Sequence, residues 1–204
     1  AQSAMLQGVA VRSAMLDSNF GLDLAAIEKA VDVNTKMIFV CSPNNPTGNI
    51  MDAGVIQKLC ETYADKALII VDETYIEFSN QPSSIAKLDQ FANLVVLRTL
   101  SKSHAAAGLR CGAAVAHGDV TSLLRKVLAP YPLATPVINA ALTILKPKNT
   151  AMLAEKRADI VMRRNGYAKE FAKFDDVQPV LPSEANFLLL LVRDAAEICK
   201  RAQK

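Results

Sequence analysis

Three stretches of the chain set polar side chains directly behind apolar runs: SPNNPTGN at 42–49, DETY at 72–75 and TLSKSHAAAGLR at 99–110. Each alone has an ordinary reading. Asn-Pro and Thr-Gly are turn formers, carboxylates at a strand end are solvated caps, and a lysine behind a strand is a surface residue. Together the stretches offer an amide (Asn45), an acid (Asp72), a phenol (Tyr75), a primary amine (Lys102), two hydroxyls (Thr99, Ser101) and a guanidinium (Arg110). That is the inventory needed to hold a phosphorylated pyridine aldehyde. The amine can form a Schiff base with the aldehyde, and the acid can keep the ring nitrogen protonated as an electron sink. The hydroxyls and the guanidinium can bind the phosphate. Carboxylates 72 and 73 could also ligate magnesium behind a phosphate loop, but no GxxxxGK[ST] precedes them, and no GxGxxG marks a dinucleotide site.

The elements that must position these groups read as an alternation. KMIFVC (36–41), ALIIVDE (67–73), NLVVLRTL (93–100) and RCGAAVA (110–116) are short apolar runs of the kind found in strands buried on both faces. Between them, 52–65 places Val55, Ile56, Leu59, Cys60 and Tyr63 at helical spacing behind a possible Asp52 cap, and 84–91 suits a shorter crossover. Strands alternating with helices predict an α/β fold with a mostly parallel sheet and helices on both faces. Ligands of such sheets bind at the carboxyl ends of the strands, where the three polar stretches lie.

Beyond 117 the pattern turns helical, at 118–128 and 135–145 around the proline-marked APYPLATP, and then along 150–174 with Leu153, Ile160, Tyr167 and Phe171 near helical spacing. VQPVLP and NFLLLLV read as strands, and DAAEICKRAQK as a helix. The expected organisation is a large domain over 1–147, a long interdomain helix over 148–174, and the start of a small α+β domain over 175–204.

With 51% apolar and 21% charged residues, the chain can bury a substantial core and is expected to be folded. The net charge of +3 is spread without like-charge blocks, giving no signature of a nucleic-acid or membrane partner. Apolar runs are too short to span a bilayer, and the expected location is the cytoplasm. Cysteines 41, 60, 111 and 199 form no CxxC pair and are expected to be reduced core residues, with no metal site. His117 is assigned no role, and Glu73 and Glu77 are expected to be structural.

CSPNNPTGN, VDETYIEF, LRTLSKSHAAAGLRCG and APYPLATP, in that order, closely resemble histidinol-phosphate aminotransferases, members of the fold-type-I pyridoxal-phosphate class I/II superfamily. DSNFGLDLAAIEKAV and PSEANFLLL extend the likeness toward both ends. The resemblance implies a three-layer sandwich for the large domain and pyridoxal 5'-phosphate as cofactor. It implies a Schiff base on Lys102, which also moves the substrate proton. Asp72 would pair with the ring nitrogen, Asn45 and Tyr75 with the phenolic oxygen, and Thr99, Ser101 and Arg110 with the phosphate. It further implies histidinol phosphate and 2-oxoglutarate as substrates and a homodimer. Alternatives on the same scaffold are an aromatic aminotransferase, a threonine-phosphate decarboxylase, or a non-catalytic remnant.

Ser103 and His104 stand where relatives usually have Ala and Phe, and Thr74 where Ala is common. His104 is expected to be a packing variant. Asn186 is a weaker candidate for approach to substrate. The likeness covers the central part of such an enzyme. The phosphate-binding helix and stacking aromatic that precede it in relatives, and the carboxylate-binding arginine that follows, are expected to be missing. Their loss would weaken binding and catalysis in this chain.

Overall fold

The computed structural model describes residues 2–202. In chain order its helices are α1 (Gln2–Leu6), α2 (Leu24–Ala30), α3 (Ala53–Thr62), α4 (Gly118–Val127), α5 (Thr135–Ile144), α6 (Pro147–Phe171) and α7 (Ala195–Ala202). Its strands are β1 (Met37–Cys41), β2 (Leu68–Asp72), β3 (Leu94–Thr99), β4 (Gly112–Ala116), β5 (Val177–Val180) and β6 (Leu190–Val192). The first four strands form one sheet in the order β1-β2-β3-β4, and β5 and β6 form a second.

β1, β2 and β3 pair in parallel, with Cys41 opposite Asp72 and Asp72 opposite Leu97. Parallel neighbours need a crossover, which α3 supplies between β1 and β2. Asp52 caps α3 by accepting from Val55 N at 2.9 Å, as its position predicts. Between β2 and β3 the stretch expected as a short helix forms a 3-10 turn, Ser84–Lys87, whose Ile85, with Leu88 and Phe91, packs against the core. β4 runs antiparallel to β3. The link between them, 100–111, carries only the 3-10 turn Ala107–Leu109, too little for a crossover, so the chain reverses.

The main core joins Ile56, Leu59 and Cys60 of α3 to Ile69 and Val71 of β2 and Leu94 and Val96 of β3. These positions alternate along the strands, as one face of a pleated sheet requires. Ile70 and Val95 are also buried, so β2 and β3 are covered on both faces. The flanking strands are not: Met37 and Phe39 are 47% and 65% exposed, and Gly112–Ala114 lie open. The apolar composition of β1 and β4 predicted burial on both faces, and these exposed residues depart from it.

α6 begins with Pro147 at its first turn, where a missing N–H costs nothing. Only 190–192 of the expected strand NFLLLLV pairs with β5, because 183–187 turns away to bind other parts of the chain. β5 carries Pro179 and shows a register irregularity between Val177 and Val180, consistent with an edge position. Cys60 is buried and burial pushes its thiol up to about 11. Cys41 and Cys111 are half-buried, whereas Cys199 is exposed on α7 and is not a core residue. No helix among the described residues is long and apolar enough to cross a membrane.

Leu59 is 1% exposed at the centre of the α3–sheet contact. Leu59→Ala is expected to lower stability by about 2–5 kcal/mol, read from the shift of the urea unfolding midpoint.

Candidate active site

The loop after β1 is built from its own polar side chains. Asn44 donates to Thr47 Oγ1 at 2.7 Å, Thr47 donates to Asn49 Oδ1 at 2.5 Å, and Asn49 donates to the Phe20 carbonyl at 2.8 Å. Gly48 has φ +76°, and a Cβ there would fall 2.6 Å from Ser183 Oγ. Glycine is therefore required twice, for the backbone turn and for the approach of the 183–187 segment. That segment is tied down by Glu184 N donating to the Gly48 carbonyl at 2.7 Å. The result holds Asn45 at the rim, where its Nδ2 donates to the Tyr75 hydroxyl at 3.1 Å.

Tyr75 follows β2 and is buried, its ring meeting Phe187 edge-on at 5.2 Å between centroids. Asp72 ends β2. Its Oδ1 accepts from Thr74 N at 3.0 Å and from Thr74 Oγ1 at 2.5 Å. One short segment thus fixes both the acid and the phenol.

Behind β3, Thr99 Oγ1 donates to Ser101 Oγ at 2.9 Å and accepts from Ser101 N at 3.1 Å. The chain then folds tightly: Ala105 N donates to the Lys102 carbonyl at 3.1 Å, with Ala105 at φ 52°. Lys102 is exposed, and its Nζ lies 5.6 Å from the centroid of the Tyr75 ring, within cation–π range. Arg110 adopts φ 50° just before β4. Its guanidinium is exposed and donates to the Ala107 carbonyl at 3.1 Å.

The structure therefore brings Asn45, Tyr75 and Lys102 together, pairs Thr99 with Ser101, and sets Asp72 on the neighbouring strand end. It does not bond Arg110 to either hydroxyl: among the described residues its side-chain hydrogen bond goes to Ala107. Asn186 is exposed.

A second layer holds these strand ends. Glu73, 2% exposed, accepts from Ser83 Oγ at 2.5 Å and from Ser84 N at 2.6 Å. Arg98, next to Thr99, bridges Glu77 at 2.5 Å and Glu73 at 3.6 Å. Glu73 and Glu77 are structural, as the sequence predicts. Arg98 was not singled out there, although a cation in the run LVVLRT was the available signal. Across the site, Arg164 of α6 is buried and donates to the Ala185 carbonyl at 2.6 Å, supporting the segment that carries Phe187.

Ser103 and His104 prove to be coupled, with Ser103 Oγ and His104 Nδ1 2.9 Å apart. Burial pushes His104 below its ordinary value of 6.5, with Arg157 and Arg98 acting in the same direction and Glu77 opposing them. The ring thus makes a polar contact with its neighbour at a half-buried position.

Sheet and site together define an α/β protein whose polar strand ends surround a lysine, with the donors suited to a phosphorylated aldehyde. The chain belongs to the aminotransferase class I and II family, whose model matches residues 1–204. It is 39% identical over 198 residues to histidinol-phosphate aminotransferase 2 of Mannheimia succiniciproducens, covering 97% of this chain and 56% of that protein. It is 42% identical over 190 residues to the histidinol-phosphate aminotransferase of Pectobacterium atrosepticum, covering 93% of this chain and 53% of the relative. The fold matches the crystal structure of the histidinol-phosphate aminotransferase of Sinorhizobium meliloti in complex with pyridoxal-5'-phosphate at a TM-score of 0.82. That match has 20% identity and covers 98% of this chain and 54% of the other. The chain thus spans about half the length of the relatives it matches.

Arg98→Met leaves the buried Glu73 and the half-buried Glu77 carboxylates without their cation, and is expected to cost about 3 kcal/mol of stability by chemical unfolding. Because the folded pKa of His104 lies below 6.5, the unfolded chain binds the extra proton between the two values. The associated stability is complete above 6.5 and declines as pH falls from 6.5 through the folded value. An NMR titration of the His104 ring should show a midpoint below 6.5, and His104→Phe should remove this part of the pH dependence of unfolding.

Proposed function

We propose that the chain carries the cofactor-anchoring centre of a pyridoxal-phosphate aminotransferase that moves an amino group between histidinol phosphate and 2-oxoglutarate in histidine biosynthesis. The observation that carries this reading is the meeting of Lys102, Tyr75 and Asn45 beside Asp72 and the Thr99–Ser101 pair, all at the carboxyl ends of adjacent strands. The donor set fits the cofactor: its amine-reactive, phenolic, ring-nitrogen and phosphate sides each have a residue of matching chemistry in this chain. Support for the amino donor comes from the relatives named for it at 39% and 42% identity.

When bound, pyridoxal phosphate supplies an aldehyde that exchanges amino groups and a ring that accepts the electron pair of the substrate Cα–H bond. Lys102 would anchor it and would take and return the Cα proton. The Asp72 carboxylate would hold the proton of the ring nitrogen. Asn45 and Tyr75, already hydrogen-bonded to each other, would donate to the phenolic oxygen. Thr99, Ser101 and Arg110 would hold the phosphate, for which Arg110 would give up its bond to the Ala107 carbonyl. Its planar fork suits a dianion in a way a lysine would not.

The same reading divides the chain into a cofactor-binding domain over 1–147, a connecting helix over 148–174 and part of a smaller domain over 175–204. It also makes the protein a cytoplasmic homodimer. Support for a covered surface is the exposure of Leu123, Val127 and Leu128 at 61%, 81% and 56%, and of Tyr131 at 95%, an apolar patch around the end of α4.

The test is to add pyridoxal phosphate to the purified chain, record visible absorbance, reduce with borohydride and map the modified peptide. Label is expected on Lys102 and absent from Lys102→Ala. Label scattered over surface lysines would sink the assignment. A chain labelled at Lys102 that, within a protein spanning the relatives' full length, moves no amino group from histidinol phosphate would sink the substrate.

A further inference from the structure

The Asp72 carboxylate is held asymmetrically. Its Oδ1 receives two donors from the same residue, Thr74 N at 3.0 Å and Thr74 Oγ1 at 2.5 Å. A carboxylate only accepts, so the threonine hydroxyl is the donor in the second bond. Among the described residues Oδ2 receives no hydrogen bond, and Asp72 is only half-buried. The first of these bonds is a local turn closure that any residue other than proline at 74 would provide through its amide. The second needs a hydroxyl, and an alanine there would lack it. Thr74 itself is half-buried, so its bond is sheltered from competing water.

We infer that Thr74 is a positioning residue for the cofactor's ring nitrogen: its paired donors lock the Asp72 carboxylate in one rotamer and leave Oδ2 as the acceptor presented to the ring. The inference rests on the cofactor reading given above. A carboxylate at a strand end with one donor can rotate and offer either oxygen. Two donors on Oδ1 remove that freedom before a ligand arrives, so the ordering cost falls on folding and not on binding. The backbone reinforces the lock from both sides, since Asp72 sits between Cys41 and Leu97 in the parallel ladder. The same segment carries Tyr75, whose hydroxyl accepts from Asn45 at 3.1 Å. Thr74 therefore sits in sequence between the group that would meet the ring nitrogen and the group that would meet the phenolic oxygen, and its hydroxyl serves the acid alone.

The test compares Thr74→Val, Thr74→Ala and Thr74→Ser with the unsubstituted chain, each loaded with pyridoxal phosphate labelled with 15N in the ring. Three readouts are taken: borohydride labelling of Lys102, the dissociation constant of the cofactor, and the ring-nitrogen chemical shift. Losing a hydrogen bond to a charged group is expected to weaken binding by about tenfold in the Val and Ala variants. Their ring-nitrogen signal should move toward that of the unprotonated ring, while Lys102 remains the labelled site. Thr74→Ser should restore both quantities, which a purely steric role for the threonine would not predict. Val and Ala variants with unchanged affinity and unchanged ring-nitrogen shift, and Lys102 labelled as usual, would overturn the role of Thr74 and leave the cofactor reading standing. Absence of Lys102 label from the unsubstituted chain would overturn the cofactor reading and this inference with it.

Discussion

The parallel ladder Cys41–Asp72–Leu97 is the line from which the site is measured. Parallel strands end on the same side of the sheet, so the polar residues that follow each apolar run arrive together without any of them needing to specify the meeting. Asn45 lies just beyond β1, Tyr75 beyond β2 and Lys102 beyond β3, and all three converge although the first two are 30 residues apart in sequence. The apolar faces of Ile69, Val71, Leu94 and Val96 against α3 set the register of that ladder. A slip of one residue would turn those side chains out and carry Asp72 to the wrong face.

Rigidity at the strand ends comes from polar groups bonded to one another, with only Glu77 Oε2 and Arg98 Nε buried without a partner among the described residues. The loop after β1 is closed by Asn44, Thr47 and Asn49, and is pressed by the segment 183–187 at the one position where a side chain could not fit. At the end of β3, Arg98 and the two glutamates it bridges hold the backbone beside Thr99. Gly112, opposite Thr99, belongs to the same arrangement, since a Cβ there would lie 2.8 Å from the Arg98 carbonyl oxygen. A site on rigid element ends holds its polar groups in one geometry before a ligand arrives, which is where much of the benefit of preorganisation lies.

Much of this was legible in the primary structure because it is local. The strands, the Asp52 cap, the start of a helix near Pro147 and the polar residues at the strand ends all follow from short-range pattern and chain geometry. The resemblance to a known family added roles to those positions. What pattern reading misplaced is equally physical. β1 and β4 were read as buried on both sides from composition alone, but burial depends on what packs against a strand, and Phe39 stands largely exposed. NFLLLLV was read as one strand, yet only 190–192 is strand, and the residues just before the run are bonded elsewhere, Glu184 to Gly48 and Ala185 to Arg164.

By itself the sequence determined which chemical groups are present, their order, and that they follow apolar runs of strand length, since residue type and periodicity are carried by the chain. Only the tertiary structure decided which of them touch. It bonded Asn45 to Tyr75, placed Arg98 between Glu73 and Glu77, and brought Arg164 to the Ala185 carbonyl. Hydrogen-bond partners and free lone pairs are set by rotamers and by contacts distant in sequence. Those are properties of the packed molecule, and no local pattern encodes them.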